Sequence, residues 1–469
     1  MKSLGLVGTL RLGLFQGCLG CLAVVFSGLL NRVMLSELAF PGLLVGGALA
    51  FEQFVAPSRV LFGQISDAHP WGGRHRLPYI WLGTLLFCGF AVASVPLIFR
   101  VGRLLEAGSP LALGFGVAAL CGLFALYGLS ISLATTPYLA LVIDRTNEAE
   151  RPRAVGIIWC LLTVGIVIGA IAIAISLKGL DGIRDPQLLE PALLVFMGKV
   201  AAVVLGLTLV ATVGMEPPAR PAPETVSGAV SAQSGRDDAI TLAQAWQLIT
   251  SSRQVLIFFS FLICFTLGLF LQDPILESYG AQVFGMPIAA TASLNAFWGI
   301  GTLLGLLLAG LWLVPRLGKL AAARLGCQLI VFTLVLLLLC GLSAQVAVLN
   351  WVLFLFGLAA GIGTNSALVL MLDLTLPQAA GTFVGVWGLA QALSRALGKV
   401  FGGGLLDLGR LLQQQLPLGD GPWPAFALVF LVEIAIAGLA LVLLARLNVH
   451  QFRDDTNQTL QKVLALEVG

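Results

Sequence analysis

Glu52 and Arg59 stand seven residues apart in a stretch of chain that is otherwise largely apolar. On a helix that spacing is about two turns, so both side chains share a face, with Gln53 beside them and Pro57 expected to bend the helix between. A charge near a bilayer centre costs roughly 2.5–3.5 kcal/mol on insertion scales, and so turns to a cavity or a partner. A carboxylate or amide oxygen held there can ligate a hard metal ion or take up a proton, and the arginine can neutralise the carboxylate. Gln391, Arg395 and Lys399 repeat the pattern at four-residue spacing in a later apolar stretch, where two cations could neutralise an acidic headgroup or pair with Glu433. The plainer reading of both groups is a structural bond between helices.

Two further sets lie where apolar stretches end. Asn31 and Arg32 close the first, and Gln272, Asp273 and Glu277 close the seventh at the equivalent place. They are expected to form a gate between two halves of the molecule, the alternative being polar residues that simply meet the membrane interface. Asn295 and Asn365 interrupt other apolar stretches, more often as helix glue than as ligand contacts. Trp81, Trp159, Trp298 and Trp387 could stack on a flat ligand, although tryptophans near an interface need no ligand to explain them. The three histidines, His69, His75 and His450, all fall outside the apolar stretches. A ligand among the helices must therefore rely on oxygen donors, water or apolar contact. No metal-ligand spacing, phosphate loop or nucleophile constellation is present, and Gly402-Gly403-Gly404 has no phosphate-loop context, so neither an enzyme nor a metal site is expected.

These residues need helices that cross a membrane to position them. The 469 residues are 58% apolar and only 10% charged, against about 25% charged in ordinary soluble domains. So few charges cannot cover a water-facing surface, which excludes a soluble enzyme, a DNA-binding protein and a disordered scaffold, and a net charge of +3 leaves no nucleic-acid footprint. At about 20 apolar residues per crossing, twelve spans follow: 11–30, 40–62, 77–99, 112–134, 155–177, 192–214, 255–272, 288–313, 322–342, 349–371, 382–404 and 424–446. Lys2 and Arg11 precede the first, which reads as a retained span. All eight cysteines lie in apolar runs, including the Cys18-x-x-Cys21 pair, and are read as packing residues without a disulfide framework.

Residues 215–252 change texture, with Glu216-Pro217-Pro218-Ala219-Arg220-Pro221 followed by Ser, Gly, Gln and Asp. They read as a cytoplasmic linker between an N-terminal six-helix half, 1–214, and a C-terminal half with its tail, 253–469; Thr241–Ile249 is expected as a short interfacial helix. Lys and Arg concentrate in the loops on the side of both termini, with Arg32, Arg100, Arg103, Lys178, Arg184 and Arg410 on the other, which places both termini in the cytoplasm. The halves also repeat. Leu141-Val142-Ile143-Asp144-Arg145-Thr146 with Val155-Gly156 corresponds to Leu370-Met371-Leu372-Asp373-Leu374-Thr375 with Val384-Gly385, so Asp144 and Asp373 recur at equivalent helix ends, where capping or mouth closure is expected.

The loop Gly63-Gln64-Ile65-Ser66-Asp67-Ala68-His69-Pro70-Trp71-Gly72-Gly73-Arg74-His75-Arg76 resembles the signature of the major facilitator superfamily. It implies an all-α membrane protein of the major facilitator fold, twelve transmembrane helices in two six-helix repeats. Gly63 would allow close helix contact, and Asp67 with Arg74 or Arg76, after Gly73, would form a cytoplasmic latch; an inside-positive loop alone would explain the arginines but not the Gly-Asp-Gly spacing. Longer stretches resemble one branch, the bacteriochlorophyll delivery family of PucC and LhaA type. They include Leu30-Asn31-Arg32-Val33-Met34, Gln53-Phe54-Val55-Ala56-Pro57-Ser58-Arg59-Val60, Arg76-Leu77-Pro78-Tyr79-Ile80-Trp81, Phe270-Leu271-Gln272-Asp273, Gly381-Thr382-Phe383-Val384-Gly385 and Trp387-Gly388-Leu389-Ala390-Gln391. The wording from Gln53 to Asp67 resembles the members from oxygenic cyanobacteria.

The resemblance implies an assembly factor of the photosynthetic membrane, thylakoid or inner membrane. Chlorophyll or bacteriochlorophyll would be its cargo, handed to light-harvesting or photosystem subunits, with membrane lipid and chlorophyll synthase as further partners. Glu52 or Gln53 would supply the axial oxygen for the pigment's magnesium. Two other readings stand beside it: a proton-coupled transporter or exporter of a small molecule, using Glu52 or Glu433, and a non-transporting chaperone that docks nascent subunits on its lipid-facing surface. Span 4 has no Arg or Lys and span 5 lacks the Gly-Pro pattern of antiporters, which count against export.

Overall fold

A chain apolar on nearly every helix face folds by satisfying its backbone within each helix, and this one does so throughout. The computed structural model describes residues 5–146, 151–180, 185–216, 253–374, 380–415, 421–448 and 451. The elements are α1 (Leu6–Glu37), α2a (Gly42–Phe54), α2b (Ser58–Ala68), α3 (Leu77–Ala107), α4 (Pro110–Arg145), α5 (Arg151–Ser176), α6 (Pro186–Thr212), α7a (Arg253–Phe270), α7b (Leu276–Phe284), α8 (Ile288–Leu317), α9 (Lys319–Ser343), α10 (Val346–Leu374), α11 (Ala380–Gln415) and α12 (Trp423–Ala445). Among the described residues, ten helices are long and apolar enough to cross a membrane. The split α2 and the cation-bearing α11 complete the twelve. The expected interfacial helix 241–249 lies outside the described residues.

Pro57 does break the second span: Val55–Pro57 form a turn between α2a and α2b. The seventh span departs from expectation. It does not end at residue 272 but breaks over residues 271–275 and resumes as α7b, because the interior of the bundle supplies partners for the freed backbone groups. Helix α11 also outruns its expected end at 404, so Arg410 lies in its last turns and pairs with Asp407 three residues earlier, at 3.5 Å.

Helix packing shows the duplication directly. The pairs α1–α5, α1–α6, α2–α4, α3–α4 and α3–α6 of the first half recur as α7–α11, α7–α12, α8–α10, α9–α10 and α9–α12 in the second. The halves meet along α2a–α11, α5–α8, and α1 with α7b and α8, contacts that the same six-helix offset exchanges. Buried apolar side chains form two main clusters, one from Leu12 to Met215 joined by Ile288 and Ala292, the other from Val255 to Leu447. In the first, Phe26 stacks on Tyr127 with centroids 3.7 Å apart, tying α1 to α4.

Where the halves touch, small residues bring backbones together. A Cβ on Gly46 would overlap the Lys399 carbonyl, and one on Gly403 would overlap the Gly42 carbonyl. Since backbone cannot yield as a side chain can, Gly403→Val should cost about 1–3 kcal/mol or more. The expected result is a lower melting temperature and a smaller monodisperse fraction in detergent, whereas Gly89→Ala, with nothing within 4 Å of the added methyl, should behave as the parent.

Candidate functional site

Helix α1 begins and helix α12 ends on one face of the bundle, here the terminal face; the opposite, distal face is where α1 ends. At the distal face the two halves are laced together. Asn31 is 1% exposed and donates from Nδ2 to the Pro274 carbonyl in the α7 break at 2.7 Å. Arg32 donates to Thr291 Oγ1 of α8 at 2.6 Å and to the Met286 carbonyl at 3.0 Å, and pairs with Glu37 at 3.4 Å. Ser36 and Ser278 meet at 3.0 Å. Along this strip α1 is wound as a π-helix over Ala23–Leu29 and Val33–Glu37, a form that accommodates an extra residue and is frequent at functional sites.

Behind the strip Glu277 is buried and accepts from Asn295 Nδ2 at 2.6 Å, its other oxygen without a partner. It lines a small cavity with Gly28, Thr291 and Asn295. A second clamp closes the same face: Asp407 of α11 accepts from the Gly42 and Leu43 amides, each at 2.7 Å. A carboxylate from one half thus caps the first turn of a helix in the other, where the helix dipole favours negative charge.

Deeper in, the breaks of α2 and α7 face α11. Glu52 ends α2a and Arg59 begins α2b, near enough to act on each other electrostatically. Glu52 pairs with Lys399 of α11 at 3.8 Å and accepts from Gln53 Nε2 at 3.3 Å. The expected pairing of the α11 cations with Glu433 is therefore corrected. Glu433 is 0% exposed, and its Oε1 accepts from the Gln272 amide at 3.4 Å, a backbone donor freed by the α7 break. Arg395 lies with its guanidinium 4.4 Å above the Phe270 ring, in the field of Asp273, Arg59 and Glu52. Gln391, half-buried, lies one turn before Arg395 on α11.

On the terminal face a Cβ added to Gly63 of α2b would meet Thr136 of α4 at an ordinary contact distance, and Gly73 takes a left-handed φ of 71° before Arg74, whose backbone bridges to Trp71. Arg76 bonds Asp144 Oδ2 at 3.2 Å and Ser66 Oγ at 2.8 Å, so the repeated aspartate of the first half holds the loop onto the end of α4. The side chains of Asp67 and Asp373 lie outside the described residues. Glu216 accepts from the amides of His75, Arg76 and Leu77 at 2.6–3.1 Å, capping α3 from beyond α6.

The family described as "PUCC protein" matches residues 29–452, nearly the whole of this framework. The chain belongs to the PucC family. Among relatives of this PucC family member, an "Uncharacterized protein in puhA-bchM intergenic region" of Rhodobacter capsulatus is 30% identical over 95% of this chain and 90% of its own. "Protein PucC" of Cereibacter sphaeroides is 30% identical over 93% and 90%, and the "Bacteriochlorophyll synthase 44.5 kDa chain" of Rhodobacter capsulatus 30% over 93% and 95%. Among solved structures, the nucleoside transporter NupG superposes with TM-score 0.66 at 14% identity, covering 94% of this chain and 99% of its own. A bacterial ferroportin homologue in its inward-facing state gives 0.65 at 15% identity, over 94% and 97%. The fold is that of the major facilitator transporters, in an integral membrane protein of twelve helices.

Sequence reasoning missed two site residues of this PucC family chain, Asp407 and Glu216, and the partner of a third, Lys399. Asp407 and Lys399 act across the half interface, which no local spacing reveals. Glu216 carried a weak signal, an acidic residue where the apolar run gives way to prolines. Two outcomes are expected. Ser36→Cys with Ser278→Cys, in a background free of native cysteines, should cross-link in most molecules under mild oxidant, because the two hydroxyls already touch; adding Asp407→Ala should lower the yield, and no cross-link at all would contradict the closed distal face. Glu216→Ala should cost about 1–2 kcal/mol and lower the melting temperature, with Glu216→Gln intermediate.

Proposed function

We propose that this chain is an assembly factor of the photosynthetic membrane that binds chlorophyll or bacteriochlorophyll between its halves and hands it to light-harvesting or photosystem apoproteins, with both termini in the cytoplasm. The observation that carries this reading is the family match over residues 29–452, which spans both halves and every cross-half contact. The relative named as a bacteriochlorophyll synthase chain supports a pigment-related setting, with chlorophyll synthase as a candidate partner beside the recipient subunits and membrane lipid. The interior chemistry fits the cargo. A chlorophyll magnesium takes one hard axial ligand; with the three histidines outside the apolar spans, the oxygens of Glu52 and Gln53 beside the α2 break are donors of that kind within a span. Lys399 pairs with Glu52 and holds that carboxylate in place, and the broken helices α2 and α7 supply irregular backbone of the kind that lines binding sites in secondary transporters.

A second reading, proton-coupled transport of a small molecule, draws on Glu433, a carboxylate wholly buried with one oxygen lacking a partner. The two separate on one preparation. Purified in mild detergent from a photosynthetic host, the protein should carry near-stoichiometric pigment by absorption and extraction. Glu52→Leu should lose most of it, whereas Glu52→Gln, which keeps an oxygen donor, should retain a substantial part. Pigment unaffected by Glu52→Leu would remove this ligand but keep the cargo. A colourless preparation without photosynthetic subunits, together with substrate-driven proton flux in vesicles that Glu433→Gln abolishes, would favour the transporter.

A further inference from the structure

Charged groups gather at the breaks of α2 and α7: Arg59, Arg395 and Lys399 are basic, and Glu52, Asp273 and Glu433, which accepts from the Gln272 amide, are acidic. Glu52 is already engaged by Lys399 and Gln53. Arg395 has only the ring of Phe270 against its guanidinium face, and its buried Nε has no acceptor. Trp298 of α8 packs edge-on to the same ring, centroids 6.3 Å apart, and its Nε1 is likewise buried without an acceptor. Two unsatisfied donors around one phenyl ring form an unfinished hydrogen-bonding site, since buried donors in folded proteins are almost always paired.

We propose that Arg395, with Lys399 and Arg59 in support, seats the anionic oxygen group of an amphiphile, a carboxylate or a phosphate, against Phe270 and Trp298 where α7, α8 and α11 converge. An oxyanion answers each feature at once. It accepts from the guanidinium in the forked geometry arginine favours, and it accepts from an indole N–H. The aromatic rings and the surrounding apolar helices suit a ligand that is otherwise hydrophobic. Arg59 is exposed at the start of α2b, on the terminal-face side of the break, and marks the approach. The group can come from a membrane lipid headgroup or from a hydrophobic cargo with a free acid. The seat goes beyond the pigment reading and stands without it, because magnesium ligation at Glu52 requires no anion.

The test uses the full chain in mild detergent and two matched pairs of probes. Pheophorbide a, which has one free carboxylate, is titrated against its methyl ester by pigment fluorescence; dioleoyl phosphatidylglycerol is compared with dioleoyl phosphatidylcholine by native mass spectrometry. The anionic member of at least one pair should bind about tenfold more tightly, the magnitude of one charged hydrogen bond. Preference for the acid over the ester identifies a carboxylated cargo, and preference for phosphatidylglycerol identifies a lipid headgroup. Arg395→Gln should erase the preference, Arg395→Lys should keep part of it, and Trp298→Phe should weaken the anionic probe severalfold; the last variant serves if Arg395→Gln does not elute as a folded protein. Equal binding within both pairs, or a preference untouched by both Arg395→Gln and Trp298→Phe, overturns the seat. Chlorophyll retained from the host beside equal probe binding would defeat this inference alone, and a colourless protein that still prefers the anion would defeat the pigment reading alone.

Discussion

Inside a bilayer a helix can be interrupted only if protein groups take over the hydrogen bonds that the break leaves open. That constraint organises this molecule. The carbonyl of Pro274 in the α7 break is taken by Asn31, and the Met286 carbonyl by Arg32. The amide of Gln272 is taken by Glu433, and the first amides of α2a by Asp407. In three of these four cases donor and acceptor come from opposite halves. Each half completes helix ends of the other, beside the packing of α2a on α11 and α5 on α8.

The joining groups lie toward the distal face, which gives the bundle a direction. Small residues let α2a and α11 touch through their backbones there, Asp407 caps across the contact, and α1, wound partly as a π-helix, carries Asn31, Arg32 and Ser36 onto α7b and α8. The terminal face is organised within the first half, where Arg76 ties the α2b–α3 loop to Asp144 and Glu216 caps α3.

Between the two faces the charges of α2, α7 and α11 gather where two helices are broken. Placing an ion pair such as Glu52 with Lys399 there is expensive, and hydrophobic side chains would hold the helices as well. Its presence together with Arg395 on Phe270 makes this the part of the interior whose composition packing alone does not explain. A pigment, a proton or an acidic headgroup would each find the required chemistry within a few turns of helix.

Much was legible from composition and spacing. The low charge content demanded lipid, the apolar runs marked twelve helices, Pro57 marked the break in α2, and the repeat around Asp144 and Asp373 marked the duplication. Each of these is a property of neighbouring residues, and helix formation in lipid is a local matter. The pairing of groups from different helices was not legible. Lys399 was expected against Glu433 on the next span but meets Glu52 from the other half, Glu433 turns to an amide exposed by the α7 break around Pro274, and Asp407 and Glu216 became caps only because distant helix ends arrive beside them. The sequence by itself determined which segments cross the membrane and which residues are too polar to do so without partners. Only the tertiary structure decided who those partners are, because two halves related by duplication meet through side chains hundreds of residues apart, and the cost of an unsatisfied group in lipid is settled there.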